Sequence, residues 1–233
     1  MTGNPQILFI CSANVCRSQR AKLFANRQLA SGNYSGFQEI GLAIESAGVH
    51  AVSGEPSCDF MCRDFLEFVD NASEPFTTDL VTNQTLIFVM EQKLQAEIVK
   101  QAPSLRQQVY MLKMAAAIAK KIESGIADLS LFSHESDEVI DGFQSPPLPD
   151  RPNERWSWIM QEMDAQRSLL PNLGEKLSEN RFDIQDSHGS SEDFHASTRD
   201  LVDESVGMLM EALEMILRAP TLSLRKIGIE GLM

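Results

Sequence analysis

The residues with the clearest capacity for chemistry form one short run, Cys11-Ser12-Ala13-Asn14-Val15-Cys16-Arg17-Ser18. A cysteine is followed by five residues, an arginine and a serine. The short apolar run Gln6–Ile10 leads into it, and Arg20–Leu29 follows with apolar residues at helical spacing, so the segment reads strand, tight loop, helix. A loop of this kind turns successive backbone N–H groups inward, making a nest for phosphate-like oxygens while the helix dipole adds positive potential. Cys11 would lie at the base of that nest. Helix amino termini and nearby cations favour the thiolate, the nucleophilic form of a cysteine. Arg17, planar and permanently charged, has the fork geometry to grip two oxyanion oxygens at once, which a lysine lacks.

The elements that must position this loop follow from hydrophobic periodicity. Ile40–Ala47, Thr85–Met90 and Gln107–Leu112 read as further strands, and Phe60–Val69 and Lys93–Gln101 as helices between or after them. Alternating strands and helices imply an α/β fold with a mostly parallel sheet covered on both faces. Ligands bind such sheets beyond the carboxyl ends of the strands, which is where Cys11 falls. From 113 to 180 the pattern changes to an alanine-rich helix at Met114–Ile122, a proline-rich stretch at Ser145–Pro152 and a helix at Trp156–Leu170. That region is expected to be a helical insertion within a single domain spanning 1–233. Phe194–Leu217 is expected to pack as a helix against the sheet, with a tail over 219–233.

Composition narrows the function. A formal charge of -13 opposes a polyanionic surface, so nucleic acid is not an expected partner. No apolar run is long enough for a membrane span, and no secretory leader stands at the amino terminus, so a cytoplasmic protein without a membrane partner is expected. Four cysteines, Cys11, Cys16, Cys58 and Cys62, are too few for a disulfide scaffold in 233 residues and lack zinc-finger spacing, which leaves thiol chemistry. Cys58 and Cys62 sit one helical turn apart and read first as core residues. Trp156 and Trp158 likewise read as core side chains before they read as walls of a site.

The strand, C-x5-R-S loop and helix resemble the low-molecular-weight protein tyrosine phosphatases. Glu45-Ser46-Ala47-Gly48 is similar to that family's Ser-Ala-Gly strand end, with Gly54-Glu55-Pro56 after it, and Leu86-Ile87-Phe88-Val89-Met90 is similar to its third strand. The resemblance covers 6–112 and 183–217. It implies a flavodoxin-like three-layer fold with four parallel strands, and phosphomonoester hydrolysis through a Cys11 thiophosphate without metal or cofactor. The substrate would be a phosphorylated protein, first of all a phosphotyrosine protein, and inorganic phosphate or a similar oxyanion would occupy the loop.

The resemblance also assigns roles. Ser12, Ala13, Asn14, Val15, Cys16, Arg17 and Ser18 would bind phosphate. Asn14 and Ser46 would hold the loop through a hydrogen bond, and Ser18 would donate to the Cys11 sulfur. Cys16 would protect Cys11 through a reversible disulfide. Expulsion of the leaving oxygen needs a general acid. In Asp183-Ile184-Gln185-Asp186-Ser187-His188-Gly189 the resemblance places it at Asp186, with Ser187 where proline is usual and His188 where tyrosine is common. Asp183, Asp193 and Asp141 compete for that assignment. Two other functions fit the same loop: a thiol-coupled arsenate reductase using Cys11 with Cys58 and Cys62, and a phosphate-binding module without turnover.

Overall fold

A computed structural model describes residues 3–65, 72–132, 148–169 and 182–220. Strands β1 (Gln6–Cys11), β2 (Ala43–Gly48), β3 (Thr85–Val89) and β4 (Val109–Met111) form one sheet in the order β2-β1-β3-β4, with every pairing parallel. Around it lie α1 (Arg17–Ala30), α2 (Ser35–Glu39), α3 (Asp59–Cys62), α4 (Gln92–Gln101), α5 (Leu112–Phe132), α6 (Pro152–Leu169) and α7 (Glu192–Arg218). The expected four-stranded parallel α/β architecture is therefore the one observed.

Successive side chains of a strand point to opposite faces, and the two cores sort accordingly. Ile7, Phe9, Leu86, Phe88 and Tyr110 face a large cluster shared with α1, α2, α5, α6 and α7. Leu8, Ile10, Ile87, Val89 and Val109 face a smaller one closed by Leu94 and Ile98 of α4 together with Ala102 and Leu105. Full burial of each of these side chains contributes about 1.5–3 kcal/mol, which is why the central strands β1 and β3 are almost wholly apolar.

Three boundaries differ from the periodicity. Strand β2 starts at Ala43 rather than Ile40, because Ile40 closes α2 and Gly41 takes a left-handed turn at φ 62°. Helix α2 was not visible as a pattern at all. It has five residues, and its first N–H groups, those of Gly36 and Phe37, donate to the buried Glu214 carboxylate of α7 at 2.8 and 3.0 Å. The helix expected over Phe60–Val69 is the single turn α3, with 66–71 outside the described residues. Arg20 explains the stop: its Nη1 donates to the Met61 carbonyl at 2.9 Å and pairs with Asp64, drawing the chain out of helical geometry.

The part of 113–180 that is described does not stand apart from the sheet. Ala115, Ile118 and Ile122 of α5 and Trp156, Ile159 and Met163 of α6 belong to the same hydrophobic cluster as Phe9 and Phe88. Arg155 ties α6 to the end of α7 by donating to the carbonyls of Leu217 at 2.6 Å and Ala219 at 2.7 Å, where a cation also meets the negative end of the helix dipole. Residues 133–147 and 170–181, which include Asp141 and 145–147 of the proline-rich stretch, lie outside the described residues, as do 221–233 of the expected tail.

Trp156 is fully buried, and its Nε1 donates to the Gln84 carbonyl at 2.9 Å, at the amino-terminal end of β3. It belongs to the core and lies at the opposite end of the sheet from Cys11. Trp156→Ala is expected to lower the unfolding free energy by about 3–5 kcal/mol, read from urea midpoints, through lost burial and an unfilled cavity.

Candidate functional site

Where β1 ends, the chain turns through Ser12–Cys16 into α1, and Asn14 makes the turn possible. Its φ of 55° is the only positive value among described non-glycine residues. Asparagine tolerates this region better than most side chains. The Asn14 amide then fastens the turn on three sides. Its Oδ1 accepts from the Glu74 backbone N–H at 2.8 Å and from Gln19 Nε2 at 3.3 Å, while its Nδ2 donates to Ser18 Oγ at 2.8 Å. Gln19 also donates to the Ala72 carbonyl at 3.0 Å.

These bonds fix the surroundings of the sulfur. Because Ser18 Oγ receives the Asn14 amide, its own proton is directed to Cys11 Sγ, 3.0 Å away. The Asn14 backbone N–H donates to the same sulfur at 3.2 Å. The Cys11 side chain therefore accepts two hydrogen bonds. Strand β2 closes the back of the loop: a Cβ added at Gly48 would lie 2.6 Å from the Ser12 oxygen and 2.7 Å from the Asn14 nitrogen, both main-chain atoms. Only glycine fits there.

Arg17 is 1% exposed and is held by its Nη1, which donates to Glu91 Oε1 at 2.6 Å and to the Ile184 carbonyl at 2.7 Å. Its Nη2 approaches Asp186 Oδ2 at 2.7 Å. That contact is an ion pair without hydrogen-bond alignment, and Arg17 Nε and Nη2 both remain without a hydrogen-bond partner among the described residues. One edge of the guanidinium is thus anchored and the other is available for a bidentate oxyanion.

The segment carrying Asp186 docks on the sheet through Ile184, whose N–H donates to the Met90 carbonyl at 2.8 Å. Asp183, its nearest competitor, is occupied elsewhere: its Oδ1 accepts the Gln92 N–H at 2.8 Å and caps the start of α4. Asp193 lies in the first turn of α7, where a carboxylate suits the helix dipole. Asp186 itself is partly exposed, accepts from the His188 N–H at 3.2 Å, and faces Arg17.

Two expectations about the loop need correction or extension. Ser46 does not hold Asn14: its buried Oγ has no hydrogen-bond partner among the described residues, and the Asn14 amide bonds instead to Glu74, Gln19 and Ser18. Cys16 and Cys11 are both free thiols. Cys16 Sγ lies within 4.8 Å of Cys58 Sγ and of a His195 ring nitrogen, and 3.9 Å from His188 Nδ1. Burial, followed by the neighbouring Cys58, pushes the Cys16 thiol well above its ordinary value. Cys62 is pushed up to about 12, first by burial.

Glu91 is the functional neighbour that periodicity did not reveal. Burial alone would raise its carboxyl, but hydrogen bonds from Lys93 and Arg17 and the charges of both hold it below the usual carboxylate range. The available signal was its place, a carboxylate two residues beyond the end of a buried central strand.

The family model of low molecular weight phosphotyrosine protein phosphatase matches residues 6–141, more than half of the chain. No curated protein matches at a significant level. Among solved structures, the YwlE arginine phosphatase from Geobacillus stearothermophilus is 18% identical with a TM-score of 0.52, covering 89% of this chain and 91% of that one. The tyrosine phosphatase Wzb from Escherichia coli K30, in complex with phosphate, is 18% identical with a TM-score of 0.52, covering 90% and 98%. The low molecular weight protein tyrosine phosphatase from T. tengcongensis is 15% identical with a TM-score of 0.52, covering 89% and 98%. At these identities the likeness is one of fold. Taken with the family match and the loop from Cys11 to Ser18, it means that the chain belongs to the low-molecular-weight phosphotyrosine protein phosphatase family of cysteine-dependent phosphatases.

Proposed function

We propose that the protein hydrolyses phosphomonoesters, with phosphotyrosine in proteins as the substrate, through a covalent Cys11 thiophosphate. The observation that carries this reading is the convergence of Cys11, Arg17 and Asp186 at the end of β1, with the Arg17 Nε and Nη2 edge not engaged in aligned hydrogen bonds.

In the first step Cys11 Sγ attacks phosphorus while the loop N–H groups and Arg17 hold the equatorial oxygens and stabilise the charge that builds there. The S–P bond forms and the P–O bond to the leaving group breaks. Asp186 gives its proton to the departing oxygen. Ser18 Oγ, hydrogen-bonded to the sulfur, stabilises the thiolate when it leaves again. In the second step a water gives its proton to Asp186 and attacks phosphorus, releasing inorganic phosphate. An arriving phosphate competes with Asp186 for Arg17 Nη2, so substrate binding frees the carboxyl from its ion pair for proton transfer.

An aryl substrate is favoured by Phe60, a 46% exposed ring whose centroid lies 5.2 Å from that of His195, beside Cys58 and Cys16. It presents an aromatic face on the Cys16 side of the loop.

The direct test is turnover of phosphotyrosine, phosphoserine and phosphoarginine peptides by wild type, Cys11→Ser and Asp186→Ala. Cys11→Ser is expected to be inactive on all three. Asp186→Ala is expected to lose about 10²–10⁴-fold in kcat on phosphotyrosine, and much less on an aryl ester whose leaving group needs no proton. Preferred turnover of phosphoarginine would reject the tyrosine assignment, and turnover by Cys11→Ser would reject the mechanism.

Glu91 anchors Arg17, so Glu91→Gln is expected to lower stability at neutral pH by about 1–3 kcal/mol. The folded-state carboxyl lies below its unfolded value, so its contribution is complete above the ordinary carboxylate range and is lost as pH falls through the depressed value. Urea midpoints of wild type and Glu91→Gln should therefore differ at pH ~7 and converge in strong acid.

A further inference from the structure

Beside the phosphate loop, three segments distant in sequence bring soft ligands together. Cys16 closes the loop ahead of α1, Cys58 precedes α3, and His195 lies in the first turn of α7. The two sulfurs and one imidazole nitrogen all lie within 4.8 Å of one another. We propose that Cys16, Cys58 and His195, with His188 as fourth ligand, form a zinc-binding site that regulates the loop.

The donor set is that of zinc, which takes thiolate sulfur at ~2.3 Å and imidazole nitrogen at ~2.0–2.1 Å in tetrahedral geometry. Around one ion those distances place ligand atoms about 3.5–3.8 Å apart, so Cys16, Cys58 and His195 need to approach one another by about 1.3 Å at most, while His188, outside their 4.8 Å group, has to move further in. His188 Nδ1 is already 3.9 Å from Cys16 Sγ. Two thiolates and two neutral imidazoles balance the divalent charge.

The ligands are also positioned as metal ligands are. The Cys58 N–H donates to the Val15 carbonyl at 2.8 Å, which ties Cys58 to the residue just before Cys16. His195 is 3% exposed, and its Nδ1 lies 3.0 Å from the Ser191 carbonyl. Donation to that carbonyl leaves the Nε2 lone pair as the coordinating one, the outer-shell arrangement that orients metal-binding histidines. The Phe60 ring packs on the same imidazole. Hydrolysis as described above requires none of Cys58, His195 or a metal ion.

Occupancy has a consequence for the acid. The His188 N–H is bonded to Asp186 Oδ1 at 3.2 Å, so a metal held by Cys16 and His188 fastens the Asp186 segment to the phosphate loop. Turnover falls because Asp186 loses its freedom to leave Arg17, while Cys11 stays uncoordinated.

The test is titration of reduced, chelator-treated protein with Zn²⁺ against a chromogenic chelator, with Co²⁺ as the spectroscopic probe. Wild type and Cys11→Ser are expected to bind one equivalent, giving thiolate-to-cobalt charge transfer and tetrahedral visible bands. Cys58→Ala and His195→Gln are expected to bind at least about 100-fold more weakly. Zinc should raise the thermal midpoint of Cys11→Ser and leave that of Cys58→Ala unchanged. It should slow wild-type turnover reversibly and spare Cys58→Ala, whose zinc-free rate matches wild type. Loss of binding in Cys11→Ser, or binding and inhibition of Cys58→Ala equal to wild type, would overturn the site. Because binding is read in Cys11→Ser, it stands or falls apart from the hydrolytic reading.

Discussion

Everything at the end of β1 depends on the left-handed backbone of Asn14 and on the three bonds that fasten its side chain. A residue at positive φ is strained for most side chains, at a cost of about 1–3 kcal/mol, and persists only where its surroundings over-determine it. Here they do: Ser18, Gln19 and Glu74 each bind one side of the amide. The strained turn sets the direction of its own N–H toward the sulfur and directs the Ser18 hydroxyl to the same atom. The placement of the Cys11 sulfur and its two hydrogen bonds thus have one structural origin.

The sheet serves this turn from three directions. Strand β2 comes so close that only Gly48 leaves room for the Ser12–Asn14 main chain. Met90, directly after strand β3, receives Ile184 at its carbonyl, and the next residue, Glu91, takes Arg17. A rigid scaffold therefore positions loop, guanidinium and Asp186 relative to one another, each through main-chain or buried contacts. Asp186 alone of these groups is substantially exposed, which suits the mobile acid proposed for it.

Legibility in the sequence followed the range of the determining interaction. The loop, four strands and long helices were legible because period-two and helical apolar patterns and the Cys-to-Arg spacing are local properties. Helix α2 was not, since its start is set by Glu214 from the other end of the chain. Arg20 ended α3 through a tertiary contact that no local pattern encodes. The preference for Asp186 over Asp183 rests on resemblance; the structure adds that the Asp183 carboxylate is engaged at the start of α4. The motif points to Ser46, whose Oγ makes no hydrogen bond among the described residues, while the Asn14 amide turns to Ser18, Gln19 and Glu74. Cys58 read as a core residue since helical spacing paired it with Cys62, whereas its sulfur neighbour is Cys16 across the fold.

The account rests on an oxyanion cradle built directly over one sulfur. The most direct measurement is the rate of Cys11 carboxymethylation by iodoacetate, followed by peptide mass spectrometry with and without inorganic phosphate or vanadate. If the Asn14 turn and Arg17 form that cradle, Cys11 is modified ahead of Cys16, Cys58 and Cys62, and either oxyanion slows its modification in a saturable way. Modification of Cys11 at a rate that neither phosphate nor vanadate changes would contradict it.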